Sequence, residues 1–129
     1  MRFGYWHFAF LGQESFYAAE ASECAGDQDA FWEYHDLLFE SQAGENQGAF
    51  EKDKLKQLAA DLKLDTTAFD ECLDSGKYTQ RVQEMTSTAQ SIGVSSTPAF
   101  VVNGRAIVGA QPFQTFEQLI EQELASNNP

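Results

Sequence analysis

The sequence predicts a mixed α/β protein with strands near both ends of the chain and a helical middle. Three observations predict this class. Residues 2–10 are dense in aromatic side chains, which strands favour. Apolar residues between positions 14 and 92 recur at helical spacing. Residues 93–110 combine a helix stop, a proline and a hairpin signal, so the element order is strand, five helices, two strands, helix.

The first predicted strand covers residues 2–10 and ends before Gly12. Its odd and even positions are both apolar, with aromatic rings at Phe3, Tyr5 and Trp6 among others. A strand of this kind is normally buried on both faces and paired at its edges. We therefore expect it to need neighbouring strands.

Five helices are predicted in the middle of the chain from apolar residues at helical spacing. The first two cover residues 14–25 and 30–41, and the third carries Leu55, Leu58 and Leu62. The fourth begins at Asp65 or Thr66, since either side chain can cap a helix. The fifth runs over residues 78–92 and stops at Gly93.

The hairpin is predicted by Asn103-Gly104, because both residues tolerate the positive φ of a type I′ turn. Pro98 opens its first strand, and its second strand covers residues 105–110. The Thr97–Pro98 bond could be cis, but the residues alone favour an ordinary trans proline at a strand edge. Pro112 then stands at the first position of the last helix.

The totals exclude several classes of protein. A chain of 129 residues is long enough to form one domain with its own core. Its formal charge of −12 argues against nucleic acid or an anionic membrane as partner. The sequence contains no apolar run of transmembrane length, and its first residues lack the features of a signal peptide.

The residues that could carry chemistry are few. Cys24 and Cys72 are too far apart for a Cys-x-x-Cys pair and have no metal-ligand spacing. They are either bonded to each other or two buried thiols, and the spacing does not decide which. His7 and His35 belong to no catalytic motif, and we expect both to be structural. We predict no catalytic residue, metal ligand or cofactor in this chain.

Five segments in this order resemble the DsbA-like thiol-disulfide oxidoreductases, which insert a helical domain into a thioredoxin fold. They are RFGYWHF, AAEASECA, FWEYHDLLF, FDECLDSGKY and GVSSTPAFVVNG, the last followed by IVGAQ. Each segment is a weak signal by itself, but the resemblance covers essentially the whole chain. It implies a partial thioredoxin-like domain at residues 1–12 and 93–129, with an inserted all-helical domain at residues 13–92.

The resemblance also shows what the sequence lacks. The family's Cys-x-x-Cys begins a helix after the first strand of the fold, and this sequence contains neither. We therefore expect an incomplete thioredoxin-like fold and a chain that is the C-terminal part of a longer protein. Otherwise the strand at residues 2–10 must pair with the hairpin or with a second chain, which would give a homo-oligomer.

The resemblance implies a substrate site at Thr97 and Pro98. In the family, the residue matching Pro98 is a cis proline, and the main chain of the residue matching Thr97 pairs with an incoming peptide. The implied location is extracytoplasmic, where disulfides persist, so we predict a structural disulfide between Cys24 and Cys72.

Two functions are compatible with these residues. In the first, the chain supplies the peptide-binding loop and helical cap of a disulfide oxidoreductase and is inactive by itself. In the second, it is a non-catalytic module that binds a peptide or a partner. In both, the expected partner is a polypeptide substrate or a redox partner protein.

Overall fold

The structure is a computed structural model that describes residues 1–127. It contains six helices and one two-stranded sheet within that range. The chain divides into two compact units, Met1–Ala89 and Gln90–Pro129. In order, the elements are α1 (Gln13–Gly26), α2 (Phe31–Glu40), α3 (Lys52–Asp61), α4 (Thr66–Asp74), α5 (Thr79–Ser91), β1 (Ala99–Val102), β2 (Arg105–Val108) and α6 (Phe113–Ser126).

The core of the first unit is built by α1, α2, α3 and α4. Its largest fully buried side chains include Tyr34, Leu55 and Phe69. The Tyr34 hydroxyl donates a hydrogen bond of 2.8 Å to the Leu55 carbonyl, and its ring lies 5.5 Å from that of Phe69. Burial of this polar group is tolerated because its donor is satisfied.

The helix predictions are confirmed to within a few residues at each end. Asp65 caps α4, since its side chain accepts a hydrogen bond of 3.1 Å from the Ala68 N–H. Gly93 follows the end of α5 with φ 95°, a value that glycine adopts readily. Pro112 is the N-cap of α6, one position before the predicted one.

The predicted strand at residues 2–10 is wrong, because these residues form neither helix nor strand. A strand needs a hydrogen-bonded neighbour, and the one sheet within residues 1–127 pairs only β1 with β2. The segment is instead attached to α5. Trp6 Nε1 donates to the Met85 carbonyl at 2.8 Å, and the Ala9 N–H donates to Thr86 Oγ1 at 3.1 Å.

The second unit is an antiparallel hairpin followed by α6. Asn103 and Gly104 have φ 48° and 85°, so the predicted turn residues are confirmed. Strand β2 ends at Val108, two residues earlier than predicted, and Gly109 follows with φ 84°. No helix among the described residues is long and apolar enough to cross a membrane.

Candidate functional site

Thr97 and Pro98 lie in the bend that leads into β1, and both are exposed. The peptide bond between them is cis. The Pro98 carbonyl accepts a hydrogen bond of 2.8 Å from the Gly109 N–H, which extends the hairpin by one pair beyond β1. Within residues 1–127, the Thr97 main chain makes no hydrogen bond.

The hairpin register determines which main-chain groups point away from β2. Phe100 pairs with Ile107, and the pairing continues to Pro98 and Gly109. In an antiparallel ladder, hydrogen-bonded pairs alternate with non-hydrogen-bonded pairs. Because Pro98 belongs to a hydrogen-bonded pair, the N–H and C=O groups of Ala99 and Val101 point to the outer edge of β1. We call this the β1 edge.

The β1 edge is held by contacts within the second unit. The Phe100 ring packs edge-on against Phe116 of α6, with 4.8 Å between ring centroids, and Ile107 is buried beside them on the same sheet face. At the turn, the Arg105 guanidinium lies 3.4 Å from a carboxylate oxygen of Glu123. These contacts fix the hairpin on α6 and leave the opposite edge of β1 unpaired among the described residues.

Cys24 of α1 and Cys72 of α4 form a disulfide, with 5.9 Å between their Cα atoms. The bond therefore joins two helices of the first unit, as predicted from the resemblance. Both cysteines of the sequence are used in it. Neither is available as a free thiol while this bond is intact.

Asp27 lies beside the disulfide, directly after α1. Its carboxylate accepts hydrogen bonds from Lys77 Nζ, at 2.6 Å, and from the Tyr78 hydroxyl. Partial burial raises the Asp27 pKa, but these hydrogen bonds outweigh it and hold the pKa below its usual value. The hydrogen bond from the Tyr78 hydroxyl to Asp27 raises the pKa of Tyr78, because the hydroxyl must keep its proton in order to donate.

The two histidines differ in their surroundings. His7 is buried, and its Nε2–H donates to Glu23 Oε1 at 2.8 Å. Burial lowers the His7 pKa, while Glu23 partly opposes that shift. His35 is half-buried among aromatic rings, including those of Trp32 and Phe39. The expectation that both are structural remains a prediction, and the sequence had no signal for the His7–Glu23 pair.

Glu14 is a structural residue that sequence reasoning missed. It is buried in the first turn of α1, and its two carboxylate oxygens accept main-chain hydrogen bonds from Gly48, at 2.6 Å, and Phe50, at 2.9 Å. Glu14 thus fixes the loop before α3 to the start of α1. An acidic residue in a first helical turn is common, so nothing in the sequence marked this one as special.

Within residues 1–127, no group of three or more His, Cys, Asp or Glu side chains is placed to hold a metal ion. The two candidate polar sites are the β1 edge in the second unit and, in the first unit, the side chains of Asp27, Lys77 and Tyr78 beside the disulfide. The β1 edge can pair with an extended chain through main-chain hydrogen bonds.

The architecture is that of a thioredoxin-like protein. A solved structure of a thioredoxin-like oxidoreductase from Silicibacter pomeroyi superposes with a TM-score of 0.76 and 21% sequence identity. The superposition covers 94% of this chain and 67% of that chain. It confirms the predicted thioredoxin-like fold with a mainly helical insertion.

The model of the DSBA-like thioredoxin domain matches residues 5–121, so this chain belongs to the DsbA-like family. Two curated proteins illustrate its similarity. The chain is 38% identical over 108 residues to a Na(+)/H(+) antiporter NhaA 1 of Salinispora arenicola, covering 84% of this chain and 16% of that protein. It is 29% identical over 127 residues to disulfide bond formation protein D of Bacillus subtilis, covering 96% of this chain and 57% of that protein. The chain therefore spans less than two thirds of these relatives.

Proposed function

We propose that this chain is the polypeptide-binding part of a DsbA-like disulfide oxidoreductase. In this proposal the β1 edge, with Thr97 and Pro98 at its start, holds an extended peptide as an added strand. The helices of the first unit correspond to the helical domain that the family inserts into the thioredoxin fold. A Cys-x-x-Cys element that this sequence does not contain would carry out the redox chemistry.

The observation that carries the proposal is the direction of main-chain groups along the β1 edge. Ala99 and Val101 both present their N–H and C=O groups on the side away from β2. An extended peptide can satisfy these groups without displacing any hydrogen bond of the hairpin. In such binding the main-chain hydrogen bonds give affinity, and side-chain pockets give specificity.

The family membership supports an oxidoreductase, but the chain's own cysteines support a second candidate. Cys24 and Cys72 are bonded to each other and lie in different helices. The second candidate is a thioredoxin-like module that binds a peptide or partner without redox turnover. A Cys-x-x-Cys encoded in frame upstream of Met1 would favour the first candidate, and its absence would favour the second.

Partners and location follow from the same proposal. The partner is a polypeptide substrate or a redox partner protein, in keeping with the similarity to disulfide bond formation protein D. The location is extracytoplasmic, where a disulfide such as Cys24–Cys72 persists. Pairing of two copies through residues 2–10 stays a prediction, which sedimentation analysis tests, although these residues form no strand.

Proline at Ala99 tests the β1 edge directly. Ala99 and Ala106 are exposed residues on opposite outer edges of the hairpin, and each occupies a non-hydrogen-bonded pair. Proline at either position removes an outward N–H without removing a ladder hydrogen bond. We expect Ala99→Pro to weaken binding of a short extended peptide with one S-methylated cysteine by about five- to tenfold, the effect of one lost hydrogen bond.

Ala106→Pro is the matched control and should bind the same peptide as the wild type does. Binding is measured by NMR titration, in which amide shifts should be largest at Thr97, Ala99 and Val101. Equal losses in both variants, or shifts centred on β2, would show that the peptide does not add to the β1 edge.

A further inference from the structure

We propose that the Cys24–Cys72 disulfide is a thiol-exchange site that opens at Cys72 and favours cationic over anionic small thiols. This inference concerns the first unit alone. It does not depend on the peptide binding proposed for the β1 edge.

Access to the disulfide comes from a surface cavity of about 370 Å³. Both cysteines line this cavity, together with Asp27, Glu71 and Lys77. Both cysteines belong to the buried core of this unit, but Cys72 is 9% exposed and Cys24 only 1%. An incoming thiolate can therefore reach the sulfur of Cys72 more easily than that of Cys24.

The exchange has two balanced steps. A small-molecule thiolate attacks Cys72 Sγ, forms a mixed disulfide there and breaks the bond to Cys24, whose thiolate leaves and takes a proton from water. A second small thiolate attacks the small-molecule sulfur of that mixed disulfide and releases the Cys72 thiolate, which is then protonated. Two small thiols are oxidised to one disulfide, and the protein disulfide is reduced to two thiols.

The charge preference follows from the groups around Cys72. Asp27 Oδ2 lies 3.9 Å from Cys72 Sγ, and its low pKa keeps this carboxylate ionised at neutral pH. Glu71 adds a second negative charge to the cavity wall, while Lys77 supplies one positive charge that is already paired with Asp27. The wall is therefore net negative. A thiol that carries an ammonium group is attracted to it, and a thiol that carries a carboxylate is repelled.

The Asp27 carboxylate also matters after the bond opens. A reduced Cys72 has an S–H group that can donate to Asp27 Oδ2, a hydrogen bond that the disulfide cannot make. Reduction also removes the cross-link between α1 and α4. The exchange would thus release a long loop of the helical unit while the new Cys72 thiol keeps a polar partner.

The test compares three small thiols under native conditions: cysteamine, which is cationic, 2-mercaptoethanol, which is neutral, and 3-mercaptopropionate, which is anionic. Opening rates are measured by acid quench, alkylation and intact mass, and are expressed per thiolate because the three thiols ionise to different extents. We expect cysteamine to exceed 3-mercaptopropionate by about five- to tenfold at low salt, and the ratio to shrink as salt is added. Peptide mapping should find the mixed disulfide on Cys72.

Asp27→Asn should reduce the ratio between the cationic and anionic thiols by at least about half, because it removes the nearest negative charge. Asp74→Asn is the matched control, since Asp74 is also paired with a lysine, Lys56, but does not line the cavity. The control should keep the wild-type ratio.

Three results would overturn the proposal. They are a mixed disulfide found on Cys24, a charge ratio that salt and Asp27→Asn leave unchanged, and an opening rate independent of thiol concentration. The last would mean that the bond reacts only after unfolding. The mapping and the salt dependence use the wild-type protein, so they decide the matter even if Asp27→Asn fails to fold.

Discussion

The two units of the chain differ in how they are held together. The unit Met1–Ala89 has fully buried side chains from several helices, a disulfide between α1 and α4, and the buried Glu14 that ties a loop to α1. The unit Gln90–Pro129 has one hairpin on one helix, with Ile107 and Leu119 as its buried apolar residues among those described. The first unit should therefore open at a higher free energy than the second.

This difference bears on function because the β1 edge belongs to the less buried unit. A strand that must accept a peptide keeps its outer main-chain groups unpaired, and it cannot be covered as the helical core is. The disulfide, by contrast, joins α1 and α4 of the first unit. The proposed peptide binding involves neither of these helices. Under the proposed function, the contacts that most stabilise the chain and the groups that would bind the peptide therefore lie in different units.

The largest expected effect comes from removing the cross-link of the first unit. The Cys24→Ala, Cys72→Ala double variant should lose about 4 kcal/mol of unfolding free energy, by the chain-entropy argument for a loop of this length. Urea unfolding measures the loss, and amide hydrogen exchange should accelerate in α1 and α4. Unchanged exchange in these two helices would mean that packing alone holds them and that the contrast between the units does not depend on the disulfide.

A smaller effect is expected in the second unit. Phe116 is half-buried against Phe100, so Phe116→Ala should cost about 2 kcal/mol, less than the 3–5 kcal/mol of a fully buried phenylalanine. Exchange of β1 and β2 amides should accelerate while that of α1 and α4 does not. Phe113 is on the same helix but 77% exposed, so Phe113→Ala is the matched control and should change stability by less than about 0.5 kcal/mol.

The elements that could be predicted from the sequence are those whose signals are local. The Asn103-Gly104 turn, the Asp65 cap and the helix stop at Gly93 depend on φ or on a side chain within three residues, and all are found. The error at residues 2–10 has the opposite origin. Aromatic composition indicates a segment that needs apolar contacts, but only a hydrogen-bonded neighbour makes it a strand.

The candidate site shows the same limit. Thr97 and Pro98 were predicted from a resemblance, but the outward direction of their neighbours' N–H groups depends on the register with β2. The pairing of Cys24 with Cys72 was undecided by their spacing. Asp27 was not predicted at all, because its partners Lys77 and Tyr78 are about fifty positions away in sequence.

The smallest expected effect is a pH dependence that belongs to the first unit alone. Burial lowers the pKa of His7 in the folded protein, so near the unfolded value of about 6.5 the folded state binds fewer protons than the unfolded state does. The unfolding free energy should therefore be highest above that pH and fall as the pH is lowered through it. Glu23 reduces this effect by favouring the protonated ring, but burial is the larger cause.

His7→Gln keeps a donor for Glu23 and cannot be protonated in this range, so it should flatten the stability curve between pH 7 and 5, measured by urea unfolding. His35→Gln leaves the His7–Glu23 pair intact and should keep the wild-type decline. The lowered pKa of Asp27 acts in a separate window, since its contribution is lost only as the pH falls below about 4. If His7→Gln and the wild type lose stability equally between pH 7 and 5, the decline comes from other groups. The buried His7–Glu23 pair then gives the first unit no pH dependence of its own in this range.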